Sequence, residues 1–151
     1  TRLCLEWMDG HDFDGETVLD YGCGSGVLGI TAAIKGATTV ICVDNDPQAL
    51  TATRDNAQRN AVADTIACLA PEQFEPRAAD VVMANILAGP LVELAPRLNA
   101  ALRQGGSLVL SGILEGQAQE VENAYAGTFP ELEKKIMDGW VLLTGRKCKT
   151  R

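Results

Sequence analysis

A glycine-rich segment, DYGCGSG at residues 20–26, has the residue types that bind a nucleoside cofactor. Glycines let the backbone turn sharply and approach a ligand, and a helix that starts after them offers free N–H groups. A dinucleotide fits this loop poorly, because its motif places the third glycine at Val27 and because Asp20 would repel a pyrophosphate. The Asp20 carboxylate instead favours a ligand with an ammonium group. The predicted cofactor contacts in this loop are Asp20, Gly22, Cys23 and Gly24.

A second acidic residue, Asp44, follows the second predicted strand and lies 22 residues after Gly22. A carboxylate at this place can accept hydrogen bonds from both hydroxyls of a ribose, in nicotinamide and other nucleoside sites alike. Turn chemistry is the alternative role for Asp44. Two roles stay open for Asn45, either a turn residue or a backbone N–H that reaches an adenine. Asp46 is predicted to cap a helix that begins at Pro47.

The third candidate, Asn85, stands at the carboxyl end of the fourth predicted strand. An amide oxygen can hold an amine without adding charge, so Asn85 is predicted to be catalytic as well as to contact the cofactor. The alternative is that it caps the next helix. The single histidine, His11, is expected in a surface loop. No metal site is predicted, because no carboxylate cluster has ligand spacing.

The elements that must position these residues alternate between strand and helix along the chain. The central strands are continuously apolar, which indicates a parallel sheet covered by helices on both faces and a ligand site beyond its carboxyl ends. The second helix is expected to bury Val27, Ile30, Ala33 and Ile34, and Gly105-Gly106 is expected to form a turn. The predicted strands are 17–21, 40–43, 65–69, 80–84, 107–113, 133–137 and 140–146, and the predicted helices are 3–8, 25–35, 47–60, 87–103 and 115–126.

Composition and charge narrow the class of protein. A chain of 151 residues and 16.0 kDa fits one domain, and its start at Thr1 suggests a fragment of a longer protein. The net charge of −7 disfavours non-specific nucleic-acid binding. Residues 134–151, with six basic residues and one acidic residue, form either a solvated terminus or a docking tail for an acidic or RNA-containing partner. Five cysteines without a CxxC motif predict reduced cytosolic thiols. We find no signal peptide and no membrane span.

Several segments together resemble one family. They are TRLCLEWMDG, VLDYGCGSGVLGITAA, VDNDPQAL, TRDNAQRN, ANILAGPLVELAP and LSGILEGQAQEV. The family is the class I S-adenosylmethionine-dependent methyltransferases of the eleventh protein of the large ribosomal subunit, known as PrmA. The resemblance runs from Thr1 to about Lys147. The GCGSG loop is common to the superfamily, whereas ANILAGPL followed by LSGIL is more specific.

The resemblance implies a Rossmann-like, doubly wound sheet of seven strands, mostly parallel, with the last strand antiparallel. It implies a cytoplasmic enzyme that uses S-adenosyl-L-methionine to methylate lysine and α-amino nitrogens of that ribosomal protein, with no membrane and no sequence-specific nucleic acid as partner. Residues 1–151 would be the catalytic domain, without the family's N-terminal substrate-recognition domain. Thr1, Gly22, Asp44 and Asn85 match the family's cofactor-contacting positions. The predicted cofactor site is then Thr1, Asp20, Gly22, Cys23, Gly24, Asp44, Asn45 and Asn85.

Three other functions remain open. A protein-glutamine methyltransferase would resemble N-P-P-Y after the fourth strand, where this chain has Ile86-Leu87-Ala88 after its asparagine. A nicotinamide-dependent dehydrogenase is disfavoured by Val27 and Asp20. The third is a cofactor-binding module that is inactive without its substrate domain.

Overall fold

The structure is a computed structural model that describes residues 1–148, and the last three residues of the basic 134–151 segment lie outside that range. The described residues form one sheet of seven strands with helices against it. The strands are β1 (Thr17–Tyr21), β2 (Thr39–Val43), β3 (Ile66–Leu69), β4 (Ala79–Asn85), β5 (Leu102–Leu114), β6 (Glu133–Met137) and β7 (Trp140–Arg146). The helices are α1 (Arg2–Asp9), α2 (Val27–Ile34), α3 (Pro47–Arg59), α4 (Ala88–Glu93), α5 (Ala95–Ala101) and α6 (Ala118–Tyr125), with 3₁₀ turns at Pro71–Gln73 and Glu115–Gln117.

The strand order is β3-β2-β1-β4-β5-β7-β6, which confirms the predicted fold class. Strands β1 to β5 pair in parallel, and β7 is antiparallel to both β5 and β6. The order reverses between β1 and β4, and a crevice opens at such a switch point beyond the carboxyl ends of the strands. The site residues predicted after β1, β2 and β4 therefore meet at one edge of the sheet.

Both faces of the sheet are buried, which explains the continuously apolar strands. In β1, Leu19 and Tyr21 pack into one core cluster, whereas Val18 packs into the cluster on the other face. Side chains of a strand alternate between faces, so an apolar side chain at each of these positions is needed when helices cover both. Packing in the core therefore keeps the strand ends that carry the site in fixed positions.

Two predicted elements differ from the structure. The single helix expected over 87–103 is divided into α4 and α5 at Leu94, and it ends where β5 begins at Leu102. Pro96 has no N–H to donate to Val92, so one helical ladder cannot run through this point. Gly105-Gly106 is not a turn before a strand but part of β5, where the register with β4 is irregular.

The buried face of α2 was predicted only in part, since Ile30 is buried as expected but the ends of the predicted face are not. Val27 is 44% exposed and Ile34 is 59% exposed, whereas Leu28 and Ala32 face the sheet. The helix begins only after Gly26, and Gly29 packs tightly against the sheet, where an added Cβ would lie 2.6 Å from the Cys42 sulfur. This contact sets the rotation of the helix and brings the glycine loop onto the strand ends.

Candidate active site

Two adjoining cavities lie at the carboxyl ends of β1, β2 and β4. The larger is a cleft of about 990 Å³ and the smaller measures about 230 Å³, and both are lined by Thr1, Gly22 and Asn85. The eight residues predicted to contact the cofactor all border one cavity or the other. Asp44 and Asn45 line only the cleft, and Asp20, Cys23 and Gly24 line only the smaller cavity. We call residues 20–26 with Asp44 and Asn45 the glycine-loop side, and residues 85–87 with Asp138 and Trp140 the Asn85 side.

The glycine loop turns sharply at the end of β1. The backbone N–H groups of Gly22 and Cys23 both donate to the carbonyl of Val43 in β2, at 2.7 and 3.0 Å. Gly26 adopts a left-handed conformation with φ of +87° at the start of α2, which glycine accepts without strain. The loop is therefore tied to the strand that carries Asp44.

Two polar side chains of helix α3 hold the same loop through hydrogen bonds to its carbonyl groups. The Thr53 hydroxyl donates to the carbonyl of Gly24, and the Asn56 side-chain amide donates to the carbonyl of Ser25, each at 2.9 Å. Neither residue was recognised from the sequence as part of the site. A usable signal was present, since Thr53 and Asn56 lie three residues apart in the TRDNAQRN segment and so share a helix face.

Asp44 has the turn role that was the alternative in the sequence, and it also lines the cleft. One carboxylate oxygen accepts from the N–H of Gly24 at 2.9 Å, and the other accepts from the N–H of Asp46 at 2.9 Å, which is turn chemistry. The residue is half-buried and lines the cleft beside Asn45. Because each carboxylate oxygen has a further acceptor site, Asp44 can still bind hydroxyl groups in the cleft. Asp46 caps α3 as predicted, accepting from the N–H of Gln48.

Asp20 lies beneath the loop and is 1% exposed. One carboxylate oxygen accepts from the N–H of Gly29 at 3.0 Å. Burial raises the pKa of Asp20 to about 7, the charge of Asp44 acts in the same direction, and the Gly29 N–H opposes them. The carboxyl group is thus divided between its two protonation states near neutral pH. A cation in the smaller cavity would favour the ionised form.

Asn85 is the last residue of β4, and its side-chain nitrogen donates to the Thr1 hydroxyl at 2.9 Å. This contact brings together two residues that are 84 positions apart. Among the residues that the structure describes, no group donates to the Asn85 amide oxygen, so the oxygen is free to accept. The helix-cap alternative is wrong, because the N-cap of α4 is Leu87.

Beyond Asn85 the cleft is bordered by apolar and acidic side chains that the sequence did not single out. Leu87 is 71% exposed and Trp140 is 47% exposed, and both line the cleft. The carboxylates of Glu93 and Asp138 stand at the same opening. This end of the cleft suits a ligand with an aliphatic stem and a positive charge.

His11 and the cysteines other than Cys23 do not line either of the two cavities. His11 is half-buried rather than a free surface residue, since it pairs with Glu16 at 2.5 Å and stacks on Trp7. The five cysteines are free thiols.

Within residues 1–148 there is no group of three or more histidine, cysteine or acidic residues that could hold a metal ion. In the same range, the helices are too short or too polar to span a membrane.

Comparison with protein families identifies similar sequences. The family model described as ribosomal protein L11 methyltransferase (PrmA) matches residues 1–148. A curated protein of that name from Pseudomonas putida (strain GB-1) is 53% identical over 148 residues, which are 97% of this chain and 51% of the relative. One from Marinobacter nauticus is also 53% identical, over 97% of this chain and 50% of the relative. The chain thus spans about half the length of the curated relatives that it matches.

Solved structures give the same picture of the fold. The ribosomal protein L11 methylase from Lactobacillus delbrueckii subsp. bulgaricus superposes with a TM-score of 0.87 and 31% identity, over 97% of this chain and 78% of that one. An RNA methyltransferase from Salinibacter ruber, solved with S-adenosyl-L-homocysteine, superposes with a TM-score of 0.76 and 20% identity, over 100% of this chain and 94% of that one. The second likeness concerns the fold alone.

Proposed function

The chain belongs to the ribosomal protein L11 methyltransferase family, and from this membership we propose that it is the catalytic domain of an S-adenosylmethionine-dependent protein N-methyltransferase. Its substrate would be the eleventh large-subunit ribosomal protein, at lysine and α-amino nitrogens. The observation that carries the proposal is the convergence of Thr1, the glycine loop, Asp44 and Asn85 on two adjoining cavities.

The site fits S-adenosyl-L-methionine in the chemistry of its donors and acceptors. An added Cβ at Gly24 would meet nothing within 4 Å, so the backbone there is open to a ligand. Asp44 would accept from the ribose hydroxyls, and the backbone at Asn45 would face the adenine. Asp20 would balance the charge of the cofactor's ammonium group from beneath the loop. Thr1, Gly22 and Cys23 would complete the contacts.

The chain's own residues would then prepare the accepting amine. The bound cofactor supplies an activated methyl group on a sulfonium, so neither a metal nor a covalent enzyme intermediate is required. The Asn85 amide oxygen would accept from the amine nitrogen and orient it, a contribution that belongs to positioning. A lysine side chain, with an ordinary pKa of about 10.4, must lose a proton to water before it reacts. Loss of water on entry between Leu87 and Trp140 would lower the pKa of this amine, whereas the carboxylates of Glu93 and Asp138 at the opening would act in the other direction.

Two of the alternatives are less well supported. The third glycine at Gly26 and the buried carboxylate of Asp20 disfavour a dinucleotide, and with it a dehydrogenase. The NILA sequence at residues 85–88, in place of N-P-P-Y, disfavours a glutamine methyltransferase. A cofactor-binding module without transfer activity remains the second candidate, because the chain covers about half of its relatives. The ribosomal substrate makes the cytoplasm the proposed location, with no membrane partner and no sequence-specific contact to nucleic acid.

The test is methyl transfer to the purified, unmethylated ribosomal protein. We expect the chain, given S-adenosylmethionine, to add methyl groups that mass spectrometry assigns to lysine or α-amino nitrogens. An Asn85→Ala variant serves as the matched control. Cofactor binding without transfer would favour the binding module, and transfer to glutamine would favour the other methyltransferase.

A further inference from the structure

Ile86, the residue after Asn85, is enclosed by two glycines from different strands. A Cβ added at Gly22 would lie 2.3 Å from the Cγ2 of Ile86, and one added at Gly112 would lie 2.4 Å from the Ile86 carbonyl oxygen. Real Cβ atoms essentially never approach another atom to less than 3.0 Å. Ile86 can therefore occupy this place only because both neighbours lack a side chain.

The space for Ile86 beside Gly112 is formed by an irregularity in β5. The register between β5 and β7 shifts between Leu110 and Ile113, which marks a bulge at residues 111–112. The carbonyl of Ser111 accepts from the N–H of Ile86 at 3.2 Å, and the buried Ser111 hydroxyl donates to the carbonyl of Val141 at 2.9 Å. The bulge is thus fixed to β7 and presents a firm surface to the Ile86 backbone.

The other contact of Ile86, at Gly22, is with the glycine loop. The N–H of Gly22 donates to the carbonyl of Val43 at 2.7 Å. Ile86 therefore touches the loop with its side chain and the β5 bulge with its backbone. Its chain neighbour Asn85 carries the amide that borders both cavities. Any movement of Ile86 would change the distance between the loop and that amide.

We propose that Ile86 is a positioning residue for methyl transfer. Through its contacts with Gly22 and Gly112, it fixes the position of the Asn85 amide relative to the glycine loop. This inference rests on the proposed function. A misplacement of reacting groups by about 1 Å can cost about 100-fold in rate, so a small shift at this contact has a large effect. Ile86 itself takes no proton and forms no bond.

The test compares Ile86→Ala with Ile86→Val, because valine keeps the Cγ2 atom that contacts Gly22. For Ile86→Ala we expect kcat to fall about 10- to 100-fold while the affinity for S-adenosylhomocysteine changes less than about twofold. Ile86→Val should recover most of the rate. Leu98→Ala, which removes a buried side chain of the same core cluster away from the cleft, should lower the thermal stability without lowering kcat.

A readout without turnover separates this inference from the proposed function. The side-chain amide resonances of Asn85, measured by NMR with S-adenosylhomocysteine bound, should shift or broaden in Ile86→Ala and stay unchanged in Leu98→Ala. If the wild-type chain transfers no methyl group, the proposed function fails and these resonances still decide the role of Ile86. Unmoved resonances, or a rate loss matched by an equal loss of cofactor affinity, would overturn the positioning role.

Discussion

The two sides of the cleft are held by different forces. On the glycine-loop side, hydrogen bonds join the loop to Val43, Asp44, Thr53 and Asn56. On the Asn85 side, the side-chain amide has one hydrogen bond to Thr1, and the next residue, Ile86, is held by one backbone hydrogen bond to Ser111 and by packing against two glycines. The large side chains at this opening are exposed.

The difference matches the ligands that the two sides would bind. A cofactor of fixed shape is best served by a rigid loop whose donors and acceptors are already in place, since little conformational entropy is then lost on binding. A protein side chain would enter and leave with each methyl transfer, and an open, partly apolar cleft would permit that exchange. Substitutions on the loop side should therefore change cofactor affinity, and those on the Asn85 side should change turnover.

The largest expected effect is on the loop side, at Gly24. Gly24→Val should abolish S-adenosylmethionine binding, because the side chain would enter the space at which the loop is open to a ligand. The left-handed φ of +57° adds strain of about 1–2 kcal/mol, so the fold should survive. Calorimetric titration and thermal unfolding measure the two effects. Gly22→Ala is the contrast, since its clash with Ile86 should reduce stability as well; an unfolded Gly24→Val chain would show that this glycine is structural first.

The next effect is on turnover, at Asn85. Asn85→Ala should lower kcat by roughly 10- to 150-fold, as expected for the loss of about 1.5–3 kcal/mol of hydrogen bonding in the transition state. Cofactor affinity should change much less. Steady-state kinetics on the ribosomal protein separate kcat from KM.

Asn85→Asp sharpens the same test through its pH dependence. An added carboxylate favours the protonated amine and raises its pKa, so activity should be low at neutral pH and recover as the pH rises. Wild-type activity of Asn85→Asp at neutral pH would mean that the amide does not orient the nucleophile.

A comparable change in cofactor affinity is expected on the loop side, at Asp44. Asp44→Ala should weaken S-adenosylmethionine binding by roughly 10- to 150-fold, through about 1.5–3 kcal/mol of lost hydrogen bonds to charge. Asp46→Ala is the matched control, because it removes a helix cap worth about 1 kcal/mol of stability and should leave the affinity unchanged. Equal affinities of Asp44→Ala and wild type, with both folded, would remove the ribose assignment.

The smallest effect on binding is expected at Asp20, where the larger change is in stability. Because the pKa is raised from 3.8 to about 7, the folded chain keeps a proton that the unfolded chain releases, and wild-type stability falls as the pH rises between these values. Asp20→Asn stays neutral, so its advantage in melting temperature should grow from about pH 4 to about pH 7 and then level off. Its affinity for the cofactor should fall only severalfold. A difference in melting temperature that is constant with pH would contradict the buried ionisation.

Much of the fold could be predicted from the sequence because both faces of the sheet are covered. A short apolar run predicted β1 with the bounds found in the structure, and the bounds of β6 and β7 were also predicted correctly, although β6 is mostly charged and exposed. The predictions failed where long-range packing decides the local structure. The rotation of α2 depends on contact with Cys42, and the path of Gly105-Gly106 depends on its pairing with Lys147.

The residues of the site also divide into those that the sequence predicts and those that depend on long-range packing. Residues at or just after the carboxyl ends of strands, such as Asp44 and Asn85, can be predicted from the sequence because parallel strands bring these ends together. Trp140 reaches the site only through the packing of an antiparallel strand, so its place in the sequence carries little signal. Thr53 shares a helix face with Asn56, and that spacing could have identified it. Ile86 and Gly112 were present in the quoted motifs, but their contact follows from a bulge that the sequence does not reveal.

The most direct test of the account is calorimetric titration of the chain with S-adenosylmethionine and, separately, with NAD. We predict saturable, one-to-one binding of S-adenosylmethionine that Asp44→Ala weakens and Asp46→Ala does not, together with no measurable binding of NAD. Binding of NAD in preference, or S-adenosylmethionine binding that is indifferent to Asp44, would contradict the assignment of the cleft.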